Sequence, residues 1–133
     1  MSHILVVSSD GIGLVQTLSV LNEAGYQASG ASTFEDANQF LARRSPDLVI
    51  ADERLGAFNG LHVILRARGR YPDVPAIVST RVKSRGLEAD AQRLNIECMV
   101  SPEDPAEWLA SVSRTLGADA IENTSCVPAR RVS

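Results

Sequence analysis

Three short polar clusters in this 133-residue sequence each follow an apolar run, and they hold the residue types best suited to chemistry. They are SSD at 8–10, DER at 52–54 and STR at 79–81, and a fourth polar pair, SP at 101–102, follows another apolar run. Arginine pairs with carboxylate or phosphate through two parallel hydrogen bonds, so such clusters are suited to ligand binding. They can act together only if the fold brings the ends of these runs to one place.

Five apolar runs alternate with five segments of helical periodicity along the chain. The runs are HILVV, YQASGAS, SPDLVIAD, AIVST and IECMVS. Repeated βα organisation forms a parallel sheet covered by helices on both faces. With right-handed crossovers we expect an α/β fold with a five-stranded parallel sheet in the flavodoxin-like order 2-1-3-4-5 and five helices. Residues 1–117 are predicted to form this domain, Gly117 to close the last helix, and 118–133 to be a flexible tail.

The predicted strand order gives the polar clusters a common location. The first and third strands are neighbours at the switch point of such a sheet, and ligands bind beyond their carboxyl ends. We therefore expect the clusters after the first, third and fourth strands to line one crevice. Asp10 is additionally expected to be the N-cap of the first helix.

Composition limits the function classes. Thirteen Lys and Arg against sixteen Asp and Glu give a net charge of −3, which argues against direct nucleic-acid binding. No apolar stretch approaches the roughly 20 residues that span a bilayer, and no export signal precedes the first strand. Cys98 and Cys126 lack metal-site spacing. A cytoplasmic protein without membrane contact is expected.

Four segments, ILVVSSD, PDLVIADERLGAFNG, VPAIVST and MVSP, resemble the receiver domain of two-component response regulators in order and spacing. The resemblance covers about residues 3–117. It implies that Asp52 accepts a phosphoryl group from a histidine kinase, and that Thr80 hydrogen-bonds a phosphoryl oxygen. A glycine eight positions after the aspartate, here Gly60, opens a helix in that family. The resemblance also implies a cis peptide before Pro102.

The sequence departs from the family at four positions. Receivers carry two adjacent acids after the first strand, which hold Mg²⁺, and these positions are Ser8 and Ser9. The family's lysine after the fifth strand corresponds to Ser101, and its aromatic switch residue corresponds to Cys98. These substitutions leave a pocket that keeps its phosphoacceptor position but lacks the usual cations.

The lost groups matter because phosphoryl transfer accumulates negative charge, which cations beside the reacting oxygens stabilise. One charge pair at about 4 Å contributes roughly 4 kcal/mol at an effective dielectric of 20. Mg²⁺ would be left with Asp52, a backbone carbonyl near Arg54 and Asp10, so we expect it to bind weakly or not at all. Arg54 and Arg81 are hypothesised to compensate the charge.

Two functions remain in competition. The first is a stand-alone receiver in phosphorelay signalling, with Asp52 as nominal phosphoacceptor and a degenerate metal site. The second is a phosphorylation-independent interaction module. Either would bind a histidine kinase or another signalling protein, or form a homodimer through the face of the fourth helix, fifth strand and fifth helix. Neither is an enzyme; the GIG after the first strand lacks the third glycine of a dinucleotide site.

Overall fold

The computed structural model describes residues 3–55, 58–82, 84–100 and 105–121. Five longer strands alternate with five helices. In chain order the elements are β1 (His3–Val7), α1 (Gly11–Glu23), β2 (Gln27–Ala31), α2 (Phe34–Arg43), β3 (Leu48–Asp52), β4 (Arg54–Leu55), β5 (Phe58–Asn59), α3 (Gly60–Arg70), β6 (Ala76–Thr80), α4 (Arg85–Arg93), β7 (Glu97–Val100) and α5 (Pro105–Ile121).

The main sheet is parallel throughout and runs in the order β2-β1-β3-β6-β7. Since β6 and β7 are the fourth and fifth strands of the sequence prediction, the predicted order 2-1-3-4-5 is confirmed. The central strands β1, β3 and β6 are buried on both faces because helices cover both sides of the sheet. Their carboxyl ends therefore emerge side by side at one edge.

Side chains of the central strands alternate between two cores. One core lies under α2, α3 and α4, and β1 contributes Leu5 and Val7 to it. The other lies under α1 and α5, and β1 contributes Ile4 and Val6 to it. This alternation follows from the two-residue period of a strand.

Two predicted boundaries were wrong. The stretch ERLGAFNG at 53–60, whose sequence is typical of a loop, contains the short antiparallel pair β4–β5, with Arg54 opposite Asn59. Helix α5 was expected to end at Gly117 but extends to Ile121. A glycine inside a helix costs only about 1 kcal/mol relative to alanine, and the residues after it include two alanines, which favour helix. In the described part of the chain, no helix has the length and hydropathy needed to span a membrane.

Candidate functional site

Asp52 lies at the carboxyl end of β3, between the ends of β1 and β6. Ser8, the residue after β1, donates a hydrogen bond from Oγ to Asp52 Oδ2 at 2.5 Å. Ser79 on β6 donates from Oγ to the other carboxylate oxygen, Oδ1, at 2.6 Å. Both serines are buried, whereas Asp52 is half-buried. Each oxygen of the Asp52 carboxylate therefore already accepts a hydroxyl hydrogen bond.

Ser9 makes the second link between the loops after β1 and β3. Its hydroxyl donates to the backbone carbonyl oxygen of Arg54 at 3.3 Å. The predicted convergence of Ser8, Ser9, Asp52 and the Arg54 carbonyl is therefore seen in the structure. The Arg54 side chain itself is exposed.

Thr80 is buried at the end of β6, and its hydroxyl contacts Glu53 rather than Asp52. Its Oγ1 atom lies 2.8 Å from Glu53 Oε1 and 3.0 Å from the carbonyl oxygen of Val82, and it accepts from the Val82 backbone N–H. Sequence reasoning selected Thr80 and missed Ser79 as the β6 hydroxyl on Asp52. The strand register held the signal, because β3 and β6 pair Asp52 directly with Ser79.

Arg81 forms an exposed ion pair with Asp10, 2.9 Å between Nη2 and Oδ2. This pair joins the loop after β6 to the residue before α1. Asp10 is the N-cap residue of α1, as predicted, but its side chain makes no hydrogen bond to the helix, and its carboxylate is directed to Arg81 instead. Gly13 makes room for it, since a Cβ there would lie 2.8 Å from Asp10 Oδ2. Exposed pairs of this kind contribute about 0–1 kcal/mol.

These side chains line a cleft of about 1170 Å³. Its described lining also includes Val15 of α1, Val82 after β6 and Trp108 of α5. Ser101 and the cis peptide predicted before Pro102 lie outside the described residues. Among the residues that are described, no group of three or more His, Cys, Asp and Glu side chains is placed to hold a metal ion.

Close packing explains why position 60, eight residues after Asp52, is a glycine. It is the first residue of α3, and a Cβ there would lie 2.1 Å from the Asp52 backbone oxygen. Asn59 caps the helix by accepting from the Leu61 N–H at 2.7 Å. The start of α3 therefore packs directly on the backbone of Asp52.

Cys98 lies on β7 beside Val78 of β6, half-buried against the core under α2, α3 and α4. Burial raises the pKa of its thiol, and the nearby charges of Glu88, Glu53 and Glu97 raise it further. The side chain is therefore a neutral, weakly polar packing group at pH 7.

The sequence of this chain matches that of known proteins over most of its length. Residues 4–112 match the sequence profile of the response regulator receiver domain. The chain belongs to this receiver family. Over 115 residues it is 27% identical to the alginate biosynthesis transcriptional regulatory protein AlgB of Pseudomonas aeruginosa, covering 86% of this chain and 26% of that protein. Over 61 residues it is 34% identical to the regulatory protein LuxO of Vibrio cholerae, covering 46% and 13%. The chain thus spans about a quarter or less of these relatives.

Solved receiver structures share the fold. The CheY-like response regulator receiver domain protein of Methanospirillum hungatei superposes with a TM-score of 0.83 at 20% identity, covering 92% of this chain and 98% of that one. The signal receiver domain of a LuxO repressor protein from Vibrio parahaemolyticus gives 0.81 at 21% identity, covering 92% and 95%. The recognition of a receiver domain is therefore confirmed, and the chain is a signalling module of the kind that interacts with histidine kinases and other signalling proteins.

The Mg²⁺ that the receiver family implies does not fit these residues. Mg²⁺ prefers several oxygen ligands, usually carboxylates, in near-octahedral geometry. Here Ser8 and Ser9 are neutral, and their hydroxyls donate to Asp52 and to the Arg54 carbonyl, the oxygens a metal would need. The pocket offers hydrogen-bond donors at the places where a receiver holds a cation.

Proposed function

We propose that this receiver domain works in two-component signalling as a protein-interaction module whose Asp52 is not phosphorylated by the magnesium-dependent route. The observation that carries the proposal is the pair of hydroxyl hydrogen bonds to Asp52, from Ser8 and Ser79. A hydroxyl that donates to a carboxylate oxygen draws electron density from it and makes it a weaker nucleophile toward phosphorus. The neutral hydroxyls of Ser8 and Ser79 also supply no cation that would stabilise the charge on the transferring group.

The substitutions also weaken the link between Asp52 and the rest of the domain. The Ser79 hydroxyl contacts Asp52 from β6, but the aromatic switch position holds Cys98, a small side chain packed against the core. A phosphoryl group on Asp52 would therefore have few contacts through which to move the face formed by α4, β7 and α5. We expect that face to bind a histidine kinase, another signalling protein or a second copy in a phosphorylation-independent way.

One observation favours the second candidate, phosphorylation of Asp52. The carboxylate is half-buried, and Arg81 lines the same cleft. Released from Asp10, this arginine would lend charge to a phosphoryl group. In this function Ser79, whose hydroxyl already contacts Asp52, would supply the hydrogen bond to the phosphoryl oxygen that was predicted for Thr80. The cytoplasmic location and the absence of direct nucleic-acid binding remain predictions from the sequence.

The two candidates are separated by incubating the full chain with phosphoramidate or acetyl phosphate and Mg²⁺, then measuring intact mass. We expect no phosphoryl adduct on the wild type. The matched gain-of-function variant is Ser8→Asp/Ser9→Asp/Ser101→Lys, which restores the family's acids and lysine and is expected to acquire an adduct that Asp52→Asn abolishes. An adduct on the wild type that disappears in Asp52→Asn would overturn the proposal and establish the phosphoacceptor function.

A further inference from the structure

Three large aliphatic side chains are exposed around the mouth of the Asp52 cleft. Ile12 and Val15 on α1 are 75% and 62% exposed, and Val82 after β6 is 72% exposed. Val15 and Val82 line the cleft, and Ile12 is one helical turn before Val15. Scattered exposed apolar residues are normal, but several around one concave site indicate a surface that another segment covers.

The floor of the same cleft is acidic. Among the described residues, the side-chain carboxylates of Asp52 and Glu53 accept hydrogen bonds only from hydroxyls, and no Lys or Arg side chain is paired with either of them. Two arginines also line the cleft, but Arg81 is paired with Asp10, and the exposed Arg54 side chain forms no ion pair with Asp52 or Glu53 among the described residues. The surface therefore suits an occupant that brings a cation between small aliphatic side chains.

We propose that the occupant is the C-terminal segment of this chain, residues 127–132, which docks across the cleft and shields Asp52. The segment reads VPARRV, with Arg130 and Arg131 placed between Val127 and Val132, and it lies outside the described residues. Its charge is opposite to that of Asp52 and Glu53, and its valines match the exposed aliphatic rim. The proposal rests on the proposed function only in taking the cleft to be free of Mg²⁺.

The distances permit this contact. Trp108 lines the cleft, and the helix from Trp108 to Ile121 is about 20 Å long at 1.5 Å per residue. The residues between Ile121 and Arg130 reach about 30 Å when extended. The segment can therefore return along α5 to the cleft.

The docked state is expected to exchange with an open one. Solvent-exposed ion pairs are individually weak, so two arginines and two valines do not bind permanently. A short tether nevertheless gives an effective concentration on the order of millimolar, which is sufficient for weak contacts to be populated. High salt should open the site because it screens the charges.

The test uses the full chain without a phosphodonor and with EDTA present, so that it is independent of the phosphorylation experiment. A nitroxide is attached to Cys126 in a Cys98→Ala background, and relaxation enhancement is measured on the methyl groups of Ile12, Val15 and Val82. We expect broadening of these signals that Arg130→Ala/Arg131→Ala reduces at least twofold. The control Arg43→Ala/Arg44→Ala removes an adjacent arginine pair at the end of α2 and should leave it unchanged.

Absence of broadening at these methyl groups, or equal broadening in Arg130→Ala/Arg131→Ala, would overturn the proposal. Broadening between separately labelled molecules that falls on dilution would also overturn it, since the occupant would then be a second copy. If Cys98→Ala does not fold, chemical-shift changes of the same methyl groups between wild type and Arg130→Ala/Arg131→Ala decide the question, and no change counts against docking.

Discussion

The Oγ atom of Ser8 donates a 2.5 Å hydrogen bond to Oδ2 of Asp52, although the two residues are 44 positions apart. In the receiver family the position of Ser8 carries an acid that helps to hold Mg²⁺. Replacing that acid by a hydroxyl converts a cation-mediated contact between the β1 and β3 loops into a direct one. The Asp52 carboxylate is thereby stabilised without a metal ion. The replacement of the acid by Ser8 accounts for the loss of magnesium-dependent phosphorylation that we propose.

Removing either serine hydroxyl from Asp52 should destabilise the fold. Hydrogen bonds to charged groups contribute about 1.5–3 kcal/mol, so we expect Ser8→Ala and Ser79→Ala each to lower the free energy of unfolding by roughly this amount. Urea denaturation measures the change. Ser111→Ala is the matched control, because the buried Ser111 hydroxyl has no partner among the described residues and its loss should cost nothing. Equal stability of Ser8→Ala and Ser111→Ala would contradict the assigned role.

Mg²⁺ affinity should depend on the two positions after β1. The single tryptophan, Trp108, lines the Asp52 cleft, so its fluorescence reports on the site. We expect no saturable response of the wild type to millimolar Mg²⁺, and a saturable one for Ser8→Asp/Ser9→Asp, because carboxylates are the ligands this ion prefers. Arg81→Ala frees Asp10 but should not create a site by itself. Saturable binding of millimolar Mg²⁺ by the wild type would contradict this prediction, because it would show that the metal displaces the Ser8 and Ser9 hydroxyls from their acceptors.

A methyl group at position 60 should be poorly tolerated. In Gly60→Ala the new Cβ would lie 2.1 Å from the Asp52 carbonyl oxygen, which is backbone and has little freedom to move. We expect a loss of about 1–3 kcal/mol in the free energy of unfolding, from overpacking. Gly69→Ala on the same helix has open space around its Cβ and should stabilise by about 0.5–1 kcal/mol. Chemical denaturation distinguishes the two, and equal effects would argue against close packing at Gly60.

Arg68 should be a structural residue rather than a surface charge. Its guanidinium donates to the carbonyl oxygens of Val74, Leu94 and Asn95, which links α3 to the turn between α4 and β7. We expect Arg68→Ala to lower the free energy of unfolding by about 1–3 kcal/mol and to speed hydrogen exchange in that turn, because the carbonyls lose a charged donor. Arg66→Ala, which removes one exposed contact to Asn38, should change stability by less than about 0.5 kcal/mol. The opposite ranking would refute the assignment.

The Cys98 thiol should react slowly at neutral pH. Its pKa is raised above the usual thiol value of 9.0 by burial and by nearby carboxylates, so the protonated form persists to higher pH. In a Cys126→Ser background we expect alkylation by iodoacetamide at pH 8 to be several-fold slower than in urea-unfolded protein, with a rate inflection above pH 9. Because the folded state holds this proton more tightly, stability should fall as the pH rises through the folded pKa. An inflection at or below that of the unfolded chain would contradict this.

Much of the architecture is determined by the sequence alone. Strand and helix periodicities are local, so the five βα units could be predicted directly, and right-handed crossovers then restricted the sheet to the observed order. Because parallel strands end at one edge, this order also brought Ser8, Ser9 and Asp52 together.

Only the tertiary structure decided which of these groups touch. The register of β6 against β3 places Ser79, not Thr80, on Asp52, and one residue of shift would move every side chain to the opposite face. Three further features depend on contacts between distant segments or on small energy differences. They are the ion pair of Asp10 with Arg81, the β4–β5 pairing and the extension of α5 past Gly117. Local sequence patterns contain no information on such distances. The sequence therefore predicted where the pocket lies, but not which side chains in it contact one another.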